Sequence, residues 1–305
     1  MKQLLILACS FLLMTLQAQA FFNCSASPTP FPWSCGQNCG AHAEQGDPQA
    51  LQRFSPVSGG PVRAVVVTVH GLNTKPEIMD PLIARLVDRS AEVIRVGLTG
   101  HRGDSEAMKS VTEAQWKVDL LLGYSLGRKR ADELKVPLYF VGYSLGALVH
   151  AGLMGGLNPP QYDRQVLLAP AIHLKSIFYL IKFFEILGDG FCIPSLNDSE
   201  HRANQGTSVA AYKALFRLLA EVRQGGLKGM DIPTWVAVDS KDELVDLEGI
   251  QADVKTAVLR DWTFESIDHR DVERVAYRHS ITDEAALGPQ TWSSLVDKIQ
   301  RHLRL

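Results

Sequence analysis

The sequence is poor in the features that mark membrane, nucleic-acid and metal proteins. Its one long apolar run, Leu4 to Leu16, has 13 residues, short of the ~20 that a helix needs to cross hydrocarbon. Neither sign of charge dominates: 31 Lys and Arg against 33 Asp and Glu leave a net charge of -2, so there is no general attraction for nucleic acid. Cysteine is scarce, five in 305 residues. There is no His-Glu-x-x-His pair, no Walker-type phosphate loop and no dinucleotide fingerprint, so neither a metal nor a cofactor is expected. Low-complexity tracts and architectural repeats are missing too. What is present is ordinary globular text, 46% hydrophobic and 21% charged, which excludes disorder and coiled coil.

The amino terminus has its own organisation. Lys2, the apolar run and then Ala18-Gln19-Ala20 follow the order of a secretory signal peptide, with cleavage expected after Ala20. Removal of residues 1–20 takes Cys9 and leaves Cys24, Cys35, Cys39 and Cys192. An even number in an exported chain suggests disulfides, with three possible connectivities. Three of the four sit in a Pro/Gly/aromatic-rich segment, 21–60, that has neither helical nor strand period. We expect one bond within that segment and one tying it to Cys192, with zinc as the alternative. Secretion or a periplasmic location follows from the same signal.

From residue 61 the text alternates. Strands are expected at 62–69, 92–98, 137–141, 164–169, 234–238 and 262–267, each a short β-branched or apolar run. Helices are expected at 76–90, at 111–134 with Val118, Leu121, Leu122 and Leu126 on its apolar side, from 147 to 155, and at 289–302. Such alternation means a mostly parallel sheet with helices on both faces, an α/β class domain. The pattern breaks once. Between Ala171 and Asp231 there is helix-like text without a convincing strand, which reads as an insertion over one end of the sheet. Within it, 177–187 (IFYLIKFFEIL) is apolar nearly all round, suited either to lining an acyl channel or to a core helix.

Gly142-Tyr143-Ser144-Leu145-Gly146 has the Gly-x-Ser-x-Gly pattern of a nucleophile elbow, where serine sits on a strained strand-to-helix turn. The same pentad occurs at Gly123-Tyr124-Ser125-Leu126-Gly127. Context separates them: Ser144 follows strand text and precedes a helix start, whereas Ser125 lies inside an amphipathic helix. His70-Gly71-Leu72-Asn73 directly follows the 62–69 strand. The N–H groups of Leu72 and Leu145 are therefore candidates for an oxyanion hole, which needs two donors held in advance. A serine nucleophile needs a base, and the base a carboxylate, in the chain order serine, acid, histidine. After the 234–238 strand come Asp239, Asp242, Glu243 and Asp246; Asp242 is favoured, with Asp239 next. His279 is preferred as base over His269.

Together these motifs, with Val245 three residues after Asp242, resemble the α/β-hydrolase superfamily. Within it, the chain is most similar to the esterase, lysophospholipase and monoacylglycerol-lipase branch. Leu98 to Asp104 (LTGHRGD) echoes that branch's Arg-Gly-His-Gly loop in scrambled order. The resemblance implies a Ser144, Asp242 and His279 triad, an oxyanion hole at Leu72 and Leu145, and a lid or cap at 171–231. It also implies a small-molecule or lipid ester as partner, with transient membrane-surface contact through the cap. An acyltransferase and a non-catalytic binding module on the same scaffold are the alternatives.

Overall fold

The computed structural model describes residues 50–56, 60–195, 197–273 and 277–305. The signal-peptide assignment and Cys9, Cys24, Cys35 and Cys39 lie outside the described residues. Cys192 is disulfide-bonded.

The run AVVVTV is apolar at successive rather than alternate positions, which suits a strand covered on both faces. After a short β1 (Leu51–Phe54), it forms β2 (Ala64–Val69), buried throughout. β3 (Ala91–Val96), β4 (Leu138–Tyr143) and β5 (Arg164–Leu168) follow. Among the described residues, β6 (Cys192–Pro194) and β7 (Gly206–Ser208) pair only with each other, and β8 (Thr234–Asp239) and β9 (Trp262–Ile267) complete the main sheet. Its order is β1-β3-β2-β4-β5-β8-β9, with β1 antiparallel to β3 and every other pair parallel. β2 has β3 on one side and β4 on the other, so the strand order reverses there. The crevice beyond the carboxyl ends of such a pair is where α/β sheets bind ligands.

Successive residues of β2 point to opposite faces, and each face has its own core. Val65, Val67 and Val69 pack with α2 (Glu113–Leu134), α3 (Leu145–Met154) and α4 (Val209–Gly225). Val66 packs with α1 (Asp80–Val87) and the carboxy-terminal helix (Pro289–His302), through Leu82, Leu86, Trp292, Leu295 and Ile299. Each such fully buried aliphatic side chain contributes roughly 1.5–3 kcal/mol. On the final helix the buried stripe is Trp292, Leu295, Val296 and Ile299.

Two expectations are corrected. The first concerns α2, which turns the other way. Its buried residues are Trp116, Leu120, Gly123, Gly127 and Ala131, while Val118 and Leu122 are 55% and 54% exposed and Leu121 also faces outward. The reason is steric. A Cβ at Gly123 would lie 2.3 Å from Val96 Cγ2, and one at Gly127 2.8 Å from Val67 Cγ2. Small residues four apart let this helix lie directly on β2 and β3, and that fit outweighs the number of apolar side chains on the other face.

The second concerns 171–231, which does contain strands, β6 and β7. Its apolar segment is no core helix. Ser176–Leu187 winds as a 3-10 helix without a buried residue. Phe178 and Tyr179 pack towards Phe216 of α4, whereas Ile177, Leu180, Phe183 and Ile186 stand exposed, Ile186 at 89%.

Candidate active site

The chain leaves β4 and enters α3 through Ser144, whose φ of 49° and ψ of -110° are unusual for a residue with a side chain and cost of order 1–3 kcal/mol. The surroundings hold it there. Ser144 N–H donates to Leu168 O at 2.9 Å, Ala171 N–H donates to Ser144 O at 3.1 Å, and Gly146 N–H donates to His70 O at 3.0 Å. A Cβ on Gly146 would lie 2.6 Å from Val69 O, so glycine is what lets α3 start against the end of β2. This turn aims the serine hydroxyl at the crevice between β2 and β4.

There it meets His279. Ser144 Oγ lies 2.7 Å from His279 Nε2, and His279 Nδ1 lies 2.8 Å from Asp242 Oδ2. With Nδ1–H donating to the carboxylate, Nε2 is left to accept the serine proton. Burial alone would raise the Asp242 carboxyl. His279 beside it, and N–H donors from Val245 and Leu244, outweigh this and hold it below the usual carboxylate value. Asp242 Oδ1 accepts from Leu244 N–H at 2.7 Å and Val245 N–H at 2.8 Å.

The other three acidic candidates have separate work. Asp239, the second candidate for the acid, is bound to Arg270 at 2.7 Å. Glu243 accepts from the backbone N–H of Arg278 and of His279. Asp246 caps α5 (Leu247–Ala257) by accepting from Gly249 N–H. His269, the alternative base, is exposed and lines an open groove of about 280 Å³ that contains no residue of the Ser144–His279–Asp242 set.

The loop after β2 is fixed from both sides. His70 is fully buried; its Nδ1–H donates to Gly71 O at 2.8 Å and its Nε2 accepts from Leu98 N–H at 3.0 Å. Burial pushes its pKa well below the ordinary value, consistent with a neutral ring. A Cβ at Gly71 would meet the Tyr143 ring at 2.8 Å, so the loop lies flat against the elbow. Leu72 is half-buried in this loop, and Leu145 is the first residue of α3. Beyond it, Asn204 N–H donates to Asn73 Oδ1 at 2.9 Å, and Asn73 Nδ2 donates to Asn204 O at 3.0 Å. Lys75 N–H and Ala203 N–H add bonds to His201 O and Asn73 O. The insertion is thus stitched to the oxyanion-hole candidate. His201 stands between two carboxylates, Asp198 and Asp283, at 2.8 Å from each.

The second pentad is apart from all this. Ser125 is exposed in mid-helix and its Oγ donates to Leu121 O at 2.8 Å, a back-bond usual for helical serine. Its flanking glycines serve the packing on the sheet. The 98–104 loop has its own structural part, with Gly100 O accepting from Asn204 Nδ2.

Four contributors escaped the sequence reading: Arg270, the Asn73–Asn204 pair, and His201. Arg270 lies in the charged text DHRDVER, which has the same composition as a solvated loop. Asn204 and His201 carry no local signal.

A family model described as serine aminopeptidase, S33, matches residues 60–191. A search of curated protein sequences gives no match. Among solved structures, a soluble variant of the monoglyceride lipase of Saccharomyces cerevisiae, in complex with a substrate analogue, superposes with a TM-score of 0.71 at 14% identity, covering 90% of this chain and 98% of that one. A chain from a study of LipS and LipT, two metagenome-derived lipolytic enzymes, gives 0.67 at 16%, covering 83% and 96%. Est1E from Butyrivibrio proteoclasticus gives 0.55 at 14%, covering 87% and 100%. At these identities the likeness establishes the fold, which is that of the α/β-hydrolases.

Proposed function

We propose that this α/β-hydrolase cleaves carboxylic esters through an acyl-enzyme, with Ser144 as nucleophile, His279 as base and Asp242 as the acid that orients it. The observation that carries the proposal is the unbroken chain from Asp242 through His279 to Ser144, at 2.8 and 2.7 Å, ending on a serine in a strained turn. Ser144 Oγ attacks the ester carbonyl carbon while its proton passes to His279 Nε2. The N–H groups of Leu72 and Leu145 receive the negative oxygen, which preorganised donors stabilise strongly. His279 then returns the proton to the leaving alcohol. A water molecule, deprotonated by the same ring, attacks the acyl-enzyme; the carboxylic acid leaves as His279 returns that proton to Ser144 Oγ.

Acyl esters of lipids, including lysophospholipids, are the proposed substrates. The exposed apolar row on Ser176–Leu187 supports this class, because an outward row suits contact with a lipid surface better than lining a channel. The row is joined to the site: Lys175 N–H donates to Leu244 O at 2.8 Å, and Lys175 Nζ donates to Asp242 O. Export through the 1–20 signal is part of the proposal, and a disulfide at Cys192 fits an oxidising compartment.

The test is hydrolysis of p-nitrophenyl esters and lysophospholipids, run beside fluorophosphonate labelling. Ser144→Ala is expected to abolish labelling and lower turnover by up to ~10⁶-fold. His279→Ala should be crippled while His269→Ala turns over normally. A wild-type protein that neither labels nor hydrolyses any ester of the panel would overturn the proposal.

A further inference from the structure

The segment between β9 and the final helix must present His279, yet the regular structure among its described residues is a single short helix, Glu284–Leu287. Around His279 its backbone is held by three side chains. Glu243 accepts from the N–H of Arg278 and of His279, at 3.0 and 3.1 Å. Tyr143 Oη–H donates to His279 O at 3.2 Å. Arg270 takes the flanking carbonyls: Nη1 donates to Ser280 O at 2.9 Å and to Ala286 O at 3.0 Å, and Nη2 donates to Arg278 O.

Arg270 is itself anchored. Its Nε donates to Asp239 Oδ2 at 2.7 Å, and the two side chains are 1% and 0% exposed. Asp239 is the last residue of β8, three positions before Asp242. It also accepts from Lys241 N–H at 2.8 Å, in the turn that carries Asp242. One carboxylate therefore ties the acid's turn to the guanidinium that holds the carbonyls on either side of the base. A buried pair is not in general a source of net stability, because desolvating two charges is expensive. Its geometry, a planar fork with donors in fixed directions, suits the placement of a backbone.

We infer that Arg270, pinned by Asp239, is a positioning residue that fixes the His279 backbone so that its ring spans Asp242 and Ser144. This rests on the proposed triad. The guanidinium touches no reacting atom and acts only through the loop. A lysine in its place keeps the charge and the bond to Asp239, but a single ammonium cannot reach Arg278 O, Ser280 O and Ala286 O together.

Arg270→Lys in the full chain tests it, with kcat and KM measured separately on one ester and the downfield proton signal of the His279 Nδ1–H···Asp242 bond followed by NMR. Small misplacements of a reacting group cost up to ~10²-fold in rate. The expected result is a folded variant with kcat lowered about 10- to 100-fold, KM within about twofold of wild type, and the Nδ1–H signal broadened or lost. Unchanged kcat with the signal intact would overturn the inference, as would a kcat loss matched by a rise in KM. A variant that does not fold would assign Arg270 to stability and overturn it as well. The NMR signal needs no substrate, so an inactive wild type that retains it would count against ester hydrolysis and leave the positioning role standing.

Discussion

His201 of the insertion and Asp283 of the α/β core are joined at 2.8 Å through His201 Nε2 and the Asp283 carboxylate. Asp283, four residues beyond His279, also caps the short helix Glu284–Leu287 by accepting from Ala286 N–H. The contact thus links the insertion to the element that carries the proposed base. Burial opposes charge on the ring, but Asp198 and Asp283 outweigh it and raise the His201 pKa from 6.5 to about 10.

A group whose pKa rises on folding stabilises the protein fully below its unfolded value and loses that effect as pH climbs through its folded value. The stability difference between wild type and His201→Gln should therefore be level below pH 6.5 and shrink steadily towards pH 10. Urea unfolding of both proteins across that range checks it. A difference that widens with pH would mean the ring is neutral in the folded state.

Asn73→Ala removes both bonds to Asn204 and leaves a buried N–H and a buried carbonyl of Asn204 without these partners. Each such loss costs about 1–3 kcal/mol, and alanine must also adopt the φ of 50° found at Asn73. The neighbouring Leu72 N–H should shift with the loop, lowering kcat by about tenfold. Denaturant unfolding and steady-state kinetics separate the two effects. Loss of stability with full kcat would disconnect Asn73 from the proposed oxyanion hole.

Within the Gly123–Gly127 pentad, the serine and the first glycine should respond in opposite ways. Ser125→Ala removes only an exposed back-bond, so turnover and stability should stay within about 0.5 kcal/mol of wild type. Gly123→Val drives a branched side chain into Val96, where even a Cβ has only 2.3 Å. A loss of about 3 kcal/mol is expected, the upper end for overpacking, read by thermal melting. A stable Gly123→Val protein would show that the helix can lift off the sheet at little cost.

The spatial meeting of Ser144, Asp242 and His279 was legible because chain order and strand ends constrain it. Ser144 follows an apolar strand run and precedes small residues, and Asp242 follows the strand two places further along the main sheet. The orientation of α2 was not legible. Counting apolar residues favours Val118, Leu121 and Leu122, while the contact selects Gly123 and Gly127 for their lack of volume. Arg270 was hidden for a related reason. A buried arginine and a solvated one have identical local text, and only the partner 31 positions away distinguishes them. Asn73 and Asn204, 131 positions apart, meet because the insertion folds back over β2.

The winding of Ser176–Leu187 decides which side chains share an edge. At three residues per turn, Ile177, Leu180, Phe183 and Ile186 line up like teeth on a comb. Wound at 3.6 per turn, each would rotate back by about 60° from the last, and Ile186 would end about 180° from Ile177. The same letters would then spiral around the rod and turn Ile186 in towards α4. The greasy seam is therefore a product of pitch rather than of composition, and relaxing the pitch would erase it without changing one residue.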